Sequence, residues 1–324
     1  MAKPGRLGLT MLVASPNLTT DRILTIDELR PGEVLRFDSA RISPGGKGVN
    51  VLRAARTMGF PARLVALSPG RTGRAVADLI ADEGLDLVPV PAGGEVRAAS
   101  IVLERGGRVT VLNEPGPRVS TTEWEAYERT IEANLGDHPF LVCIGSAPPG
   151  TPPQGYARLA RLARDRGGRA LVDAAGPLLE AALGAGPDIV TPNLGEAEAV
   201  LLGSGTQPVE ERSPRVRDRA LQTAAALVDR GCGAAVVTAG RAGAAVATVS
   251  DRRWWDAPRA EVRNPIGAGD ALVAALVGSL EGGRTLDAAV LMGLATAAAS
   301  VETEVPGVVE RRRVLSLLER LESA

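Results

Sequence analysis

Histidine is almost missing from this chain: the only one, His138, falls in the loop-like stretch Gly136-Asp137-His138-Pro139. No Ser-His-Asp or Cys-His pair is easily built from it, and no histidine-rich metal site is available. The two cysteines, Cys143 and Cys232, stand apart in apolar or glycine-rich surroundings. They read as buried reduced thiols of a cytoplasmic protein rather than as a disulfide or a metal site. There is neither a G-x-x-x-x-G-K-[ST] loop nor a G-x-G-x-x-G fingerprint, so hydrolases, zinc enzymes and dinucleotide-dependent dehydrogenases all lose ground. A formal net charge of −1 offers no field for nucleic acid or an anionic membrane. No apolar run is long enough to span a bilayer. The opening Met1-Ala2-Lys3-Pro4-Gly5-Arg6 passes straight into a strand-like segment and is not read as a secretion signal. Any anionic ligand must therefore be held by a local cluster.

Lysine is the other scarcity. Of 37 basic residues only Lys3 and Lys47 are lysines, and Lys3 lies at a terminus expected to fray. Lys47 sits in a glycine cluster, where a compact ammonium fits a tight phosphate pocket differently from a planar guanidinium. The rest of the composition is ordinary: 45% hydrophobic and 23% charged over 324 residues. That suits two average domains or one large α/β domain with an appendage.

What is present is organised around Asn264-Pro265-Ile266-Gly267-Ala268-Gly269-Asp270 and the apolar helix-forming run after it, which Gly282-Gly283 ends. The turn has no bulky side chain between Gly267 and Gly269, and it stands where a helix leaves its first N–H groups unpaired and its positive end exposed. That makes Gly267, Ala268 and Gly269 an anion site. Asp270 would be repelled by a bound anion. It is useful there as a base for a hydroxyl attacking that anion, the alternative being a plain helix cap. A second glycine-rich helix entrance, Ser43-Pro44-Gly45-Gly46-Lys47-Gly48-Val49-Asn50, opens a helix through Met58 that Gly59 stops.

In chain order, strands are expected over 7–15, 22–27, 34–42, 64–67 and 85–91, a helix over 72–83, and a hairpin over 98–113 turning at Gly106-Gly107. From 122 the pattern alternates. Helices at 122–134, 154–166, 195–202 and 218–230 interleave with strands at 140–145, 169–173, 188–192 and 234–239, and 203–217 is a polar loop. A hairpin at 244–257 carries Trp254 and Trp255, read as hairpin packing over a base-stacking platform. Helices at 285–300 and 310–321 end the chain. Short apolar strands alternating with helices predict an α/β fold with a doubly wound, mostly parallel sheet. Ligands then bind beyond the carboxyl ends of the strands, where Asn17, Asp21, Gly145, Ser146, Asp173, Asn193, Glu196, Thr238 and Gly240 fall.

Five separated pieces agree on a family. They are Gly45-Gly46-Lys47-Gly48-x-Asn50, Leu112-Asn113-Glu114-Pro115-Gly116-Pro117, Gly145-Ser146-Ala147-Pro148-Pro149-Gly150, Pro192-Asn193-Leu194-Gly195-Glu196 and Gly267-Ala268-Gly269-Asp270. In order and spacing the chain resembles PfkB-type, ribokinase-like carbohydrate kinases over about residues 7–321, most closely the 1-phosphofructokinase and tagatose-6-phosphate kinase branch. The resemblance implies one ribokinase-like kinase domain over 1–324, with a Rossmann-like body and a small β-sheet lid inserted at about 22–42 and 95–113. It implies ATP with Mg2+ as donor and a phosphosugar hydroxyl as acceptor. Asp270 is then the base, Gly267, Ala268 and Gly269 the anion hole, and Asn193 with Glu196 order magnesium through water. Asp21, Gly46, Lys47, Asn50, Arg97 and Ser146 lie on the sugar side, and Asn193, Thr238, Gly240, Gly243, Gly267 and Gly269 on the nucleotide side.

The residues alone leave simpler roles open: an Asn turn with a first-turn acid for Asn193 and Glu196, a solvated strand position for Arg97, a surface turn for Asp21, a plain loop for Ser146. Leu18, Ala99, Thr191 and Pro265-Ile266 depart from the family pattern, where proline, asparagine, lysine and Thr-Val are usual. The expected reaction is fructose 1-phosphate to fructose 1,6-bisphosphate. Kinases of fructose 6-phosphate, tagatose 6-phosphate or a free sugar are alternatives, as is a catalytically silent sensor on the same fold. Cytoplasmic location and a homodimer formed through the lid complete the expectations.

Overall fold

The computed structural model describes residues 11–136, 140–204 and 209–323. The expectations for 7–10, for Lys3, for His138 and for part of the polar loop at 203–217 lie outside these. Chain order gives β1 (Met11–Asn17), β2 (Thr19–Ile26), β3 (Ser39–Gly45), α1 (Lys47–Met58), β4 (Ala62–Pro69), α2 (Gly70–Asp82), β5 (Leu87–Ala92), β6 (Arg97–Glu104) and β7 (Val109–Asn113). The second half contains α3 (Thr121–Asn134), β8 (Phe140–Ile144), α4 (Gly155–Asp165), β9 (Arg169–Asp173), α5 (Gly176–Leu183), β10 (Ile189–Val190) and α6 (Leu194–Leu202). It ends with α7 (Val216–Asp229), β11 (Ala234–Thr238), β12 (Gly243–Thr248), β13 (Arg252–Asp256), α8 (Ala268–Glu281), α9 (Leu286–Ser300) and α10 (Arg311–Glu322).

The apolar strand segments become a nine-stranded sheet in the order β13-β12-β11-β10-β9-β8-β1-β4-β5. All pairings from β11 to β5 are parallel, and only β12 is reversed, pairing antiparallel with β11 on one side and β13 on the other. Parallel strands need cover on both faces. One face packs under α1, α2, α8, α9 and α10, the other under α3 through α7. The α/β, doubly wound architecture read from the sequence is the one found.

Differences from the sequence reading have local causes. The strand expected over 188–192 shortens to Ile189–Val190, because Pro192 cannot donate to a ladder and Asn193 already caps α6. Helix α5 was not foreseen. It begins Gly176-Pro177, a pair easily read as a breaker, although proline is well tolerated in a first helical turn. Trp254 and Trp255 are partly buried against the two cores, as hairpin packing requires.

A separate four-stranded sheet, β3-β2-β6-β7, joins the segments expected to form a lid. β2 and β6 run parallel from Thr19↔Arg97 to Ile26↔Glu104, and β6 and β7 form the expected hairpin. Ile23, Ile101 and Leu103 cluster with Val305 of the body, while Leu24, Ile26 and Val102 gather around Leu35. β2 follows β1 after a single residue, so this sheet hangs over the carboxyl end of the main sheet. No helix among the described residues is long and apolar enough to cross a membrane.

Candidate active site

Helix α8 is buried on nearly every side from Asp270 to Ser279, but its first residues are not. Gly267 caps it at φ 86, a left-handed conformation open to glycine, and a Cβ there would come within 2.8 Å of the Gly307 nitrogen. Gly269 faces open space. Asn264 shapes the approach: its side chain donates to the Glu304 carbonyl at 2.7 Å and accepts from Ile266 N–H at 3.0 Å. The first acceptor satisfied within the helix is for Ala271, whose N–H reaches the Gly267 carbonyl. Among the described residues nothing accepts from the N–H groups of Gly267, Ala268 and Gly269, the expected anion hole, nor from that of Asp270, so four donors are left free at a positive helix end.

Asp270 follows this turn at 4% exposure. Asn50 Nδ2 donates to its Oδ2 at 2.8 Å. Burial raises its pKa to about 7; Lys47 and the Asn50 bond pull downward, while Asp173 and Glu196 push further up. A merely capping aspartate would not be sealed against another helix. Lys47 Nζ lies 2.7 Å from Asp173 Oδ1, with 38% of its side chain exposed to the cleft. Desolvation works against its charge, but Asp173, Asp270 and Glu196 outweigh it and hold the ammonium's pKa above the ordinary value. One cation among three carboxylates leaves the cleft floor short of positive charge.

The residues expected on the sugar divide into two groups. Asp21 is no surface turn: it lies inside β2 at 4% exposure, and burial lifts its pKa to about 6 against the pull of Arg53 and Arg97. Arg97 begins β6, and burial depresses its pKa against the opposing charges of Asp21 and Glu114. Its Nη1 donates to the Glu114 carbonyl at 3.2 Å, while its buried Nε has no partner among the described residues. Ser146 accepts from Asn17 Nδ2 at 3.2 Å. Gly46 caps α1 at the mouth of this pocket. Asn50 and Lys47 lie instead on the Asp270 side. Gly45 fixes Asp21, because a Cβ on it would fall 2.2 Å from that carboxylate. On the resemblance, which puts Asp21 on the acceptor, Gly45→Ala is expected to raise the acceptor KM by roughly 10-fold or more with a smaller change in kcat, read from initial rates across acceptor concentration.

Of the residues expected on the nucleotide and its metal, Asn193 and Glu196 form a capping box. Asn193 Oδ1 accepts from Glu196 N–H at 2.9 Å, and Glu196 Oε2 from Asn193 N–H at 3.0 Å. The simpler reading of the pair is thus realised, yet Glu196 still faces Lys47 and Asp173, and burial raises its pKa. Thr238 bridges to Asn193 at the end of β11. Gly240 follows in a short turn, and Gly243 opens β12, its carbonyl accepting from Ala239 N–H at 2.8 Å. Two participants were not assigned a role from sequence. Asp173 was flagged only by its place after a strand, and it binds Lys47 and, through Oδ2, the Thr191 hydroxyl at 3.3 Å. Arg53 carried no signal at all.

The profile of the pfkB family carbohydrate kinase matches residues 10–309. A 1-phosphofructokinase of Rhodobacter capsulatus is 32% identical over 291 residues, 89% of this chain and 89% of that one. The ATP-dependent 6-phosphofructokinase isozyme 2 of Escherichia coli (strain K12) is 29% identical, with 89% and 91% covered. The crystal structure of phosphofructokinase-2 from Escherichia coli in complex with fructose-6-phosphate superimposes with a TM-score of 0.84 at 25% identity, covering 96% and 99% of the two chains.

Proposed function

Because the chain belongs to the pfkB family of carbohydrate kinases and is an ATP-dependent sugar kinase, we propose that it phosphorylates fructose 1-phosphate to fructose 1,6-bisphosphate. The observation that carries the chemistry is a sealed carboxylate, Asp270, the third residue of a helix whose first N–H groups are free. The transferring phosphoryl group rests on the amides of Gly267, Ala268 and Gly269, with that of Asp270 beside them, where preorganised donors stabilise developing charge at little reorganisation cost. Asp270 takes the proton of the acceptor hydroxyl. A carboxylate with a pKa near neutrality is better matched to that transfer than an exposed one. Asp21 and Arg97 hold the sugar, the Arg97 guanidinium supplying a positive charge for its existing phosphate. The small sheet is the lid of a single kinase domain and excludes water, since ATP hydrolysis is the competing reaction. Thr238, Gly240 and Gly243 border the nucleotide.

The surplus of carboxylates around Lys47 fits a divalent cation arriving with phosphate oxygens. Among the described residues no three His, Cys, Asp or Glu side chains converge on one point. Asn193 and Glu196 would thus hold magnesium through water, the mode that ion favours. When bound it neutralises phosphate charge.

Fructose 1-phosphate is favoured by the Rhodobacter capsulatus relative and by the Gly-Gly-Lys-Gly-x-Asn signature. The isozyme 2 relative makes fructose 6-phosphate the second reading. A coupled ADP-release assay over both, with tagatose 6-phosphate and free sugars, is expected to give the highest kcat/KM on fructose 1-phosphate. A higher value on another sugar reassigns the substrate, and no release on any identifies a silent sensor. A homodimer paired through the lid and a cytoplasmic location are part of the same reading, the latter in keeping with two buried free cysteines.

A further inference from the structure

Arg53 carries its charge at 5% exposure beneath the cleft. Burying a guanidinium is costly unless its N–H groups find acceptors, and here each nitrogen does. Nε and Nη2 grip the Glu83 carboxylate at 2.6 and 2.7 Å. Nη2 also reaches Ser43 Oγ at 2.8 Å and the Pro44 carbonyl at 2.7 Å. Nη1 donates to the Pro306 carbonyl at 3.1 Å and to Asn50 Oδ1 at 3.3 Å. A plain anchor for the end of α2 would need Glu83 alone. The other acceptors lead toward the chemistry: Ser43 and Pro44 run into the Gly45-Gly46 entrance, and Pro306-Gly307 lies against Gly267.

The Asn50 contact has a chemical consequence. An amide has one accepting end and one donating end, and a guanidinium can only donate. Oδ1 of Asn50 must therefore face Arg53, which turns Nδ2 to Asp270. With the amide reversed, its oxygen would oppose the carboxylate. We propose that Arg53 is a positioning residue for phosphoryl transfer: it locks the Asn50 amide so that one oxygen of Asp270 is held by an N–H and the other is left for the acceptor hydroxyl. This rests on the reading of Asp270 as the base. The groups facing Asp270 are Lys47 and Asn50 from α1, Asp173 at the end of β9 and Glu196 from α6. Of these, Arg53 sets only Asn50. Its loss weakens one support of the ionised carboxylate and leaves the others in place, so Asp270 titrates higher.

Two variants test this. Arg53→Lys keeps a charge for Glu83 but loses the fork. Arg53→Met with Glu83→Gln removes both members of the ion pair, leaving neither charge unpaired. The readouts are the 13C carboxylate titration of Asp270, assigned by its loss in Asp270→Asn, and the pH dependence of kcat/KM. In both variants the Asp270 midpoint is expected to rise by on the order of one pH unit, with kcat at neutral pH falling roughly 10-fold and KM changing less. Glu83→Gln alone is expected to lower the melting temperature and leave the midpoint unmoved, since Arg53 keeps its bond to Asn50. An unshifted midpoint in a folded Arg53→Lys or double-variant protein overturns the proposal. Normal turnover of Asp270→Asn overturns the base reading instead, and the carboxylate titration still reports on Arg53.

Discussion

Asp270→Asn is expected to lower kcat by on the order of 10²-fold or more while leaving nucleotide and sugar affinity largely intact. The substitution is nearly isosteric, keeps the turn at Gly267 and can still accept from Asn50, so only proton acceptance is lost. In the native enzyme the acidic limb of kcat/KM should fall near pH 7, where Asp270 titrates, and residual turnover in the variant should lack that limb. Near-native turnover would remove Asp270 from the base role.

The same substitution carries a stability consequence of opposite sign. A carboxyl whose pKa rises from 3.8 unfolded to about 7 folded binds its proton more tightly in the native state. Native stability therefore declines as pH rises between those values, and the full cost is present above pH 7. Asparagine carries no such cost. Asp270→Asn is expected to be more stable than the native chain at pH 8 by on the order of 1–4 kcal/mol, the upper figure following from about three pKa units. The difference should shrink toward pH 4. Denaturant midpoints at pH 8 and pH 5 measure it, and a variant less stable at pH 8 would mean that the carboxylate is better compensated than its surroundings indicate. A residue kept for turnover at the expense of stability is the usual signature of an active site.

The legible parts of this site were those written locally. Gly267-Ala268-Gly269-Asp270 before an apolar run specifies a turn, a helix start and an acid within seven residues of Asn264. Gly59 after Met58 specifies a helix end, and the chain takes the left-handed cap there. What stayed hidden were partnerships across the sequence. Lys47 and Asp173 are 126 residues apart, and Asn50 and Asp270 are 220 apart. No local rule pairs them, and only the sheet order brings the ends of β1, β8, β9 and β10 together. Arg53 was invisible for a compositional reason. Where arginine supplies nearly every basic residue, one more on a helix looks like solvated surface, and only the fold shows it sealed.

Lys47→Met is expected to lower kcat by roughly 10²–10³-fold, alike for phosphorylated and free sugars. From sequence the lysine was assigned to the sugar's phosphate, which would make its loss a KM effect confined to phosphorylated acceptors. The structure sets its ammonium on Asp173, among Asp270 and Glu196, and away from Arg97, whose charged neighbours are Asp21 and Glu114. In the proposed reaction it then meets charge developing on the transferring group rather than charge already on the sugar. Lys47→Arg should not restore turnover, because the ammonium meets Asp173 at a single 2.7 Å contact that a wider planar fork does not reproduce. Losing the lysine also strands Asp173, which is 3% exposed, so part of any lost activity could reflect a weakened fold. Lys47→Met combined with Asp173→Asn separates the two: the pair should recover the melting temperature but not kcat. Recovery of both, or a defect seen only with phosphorylated sugars, would return Lys47 to the acceptor side of the cleft.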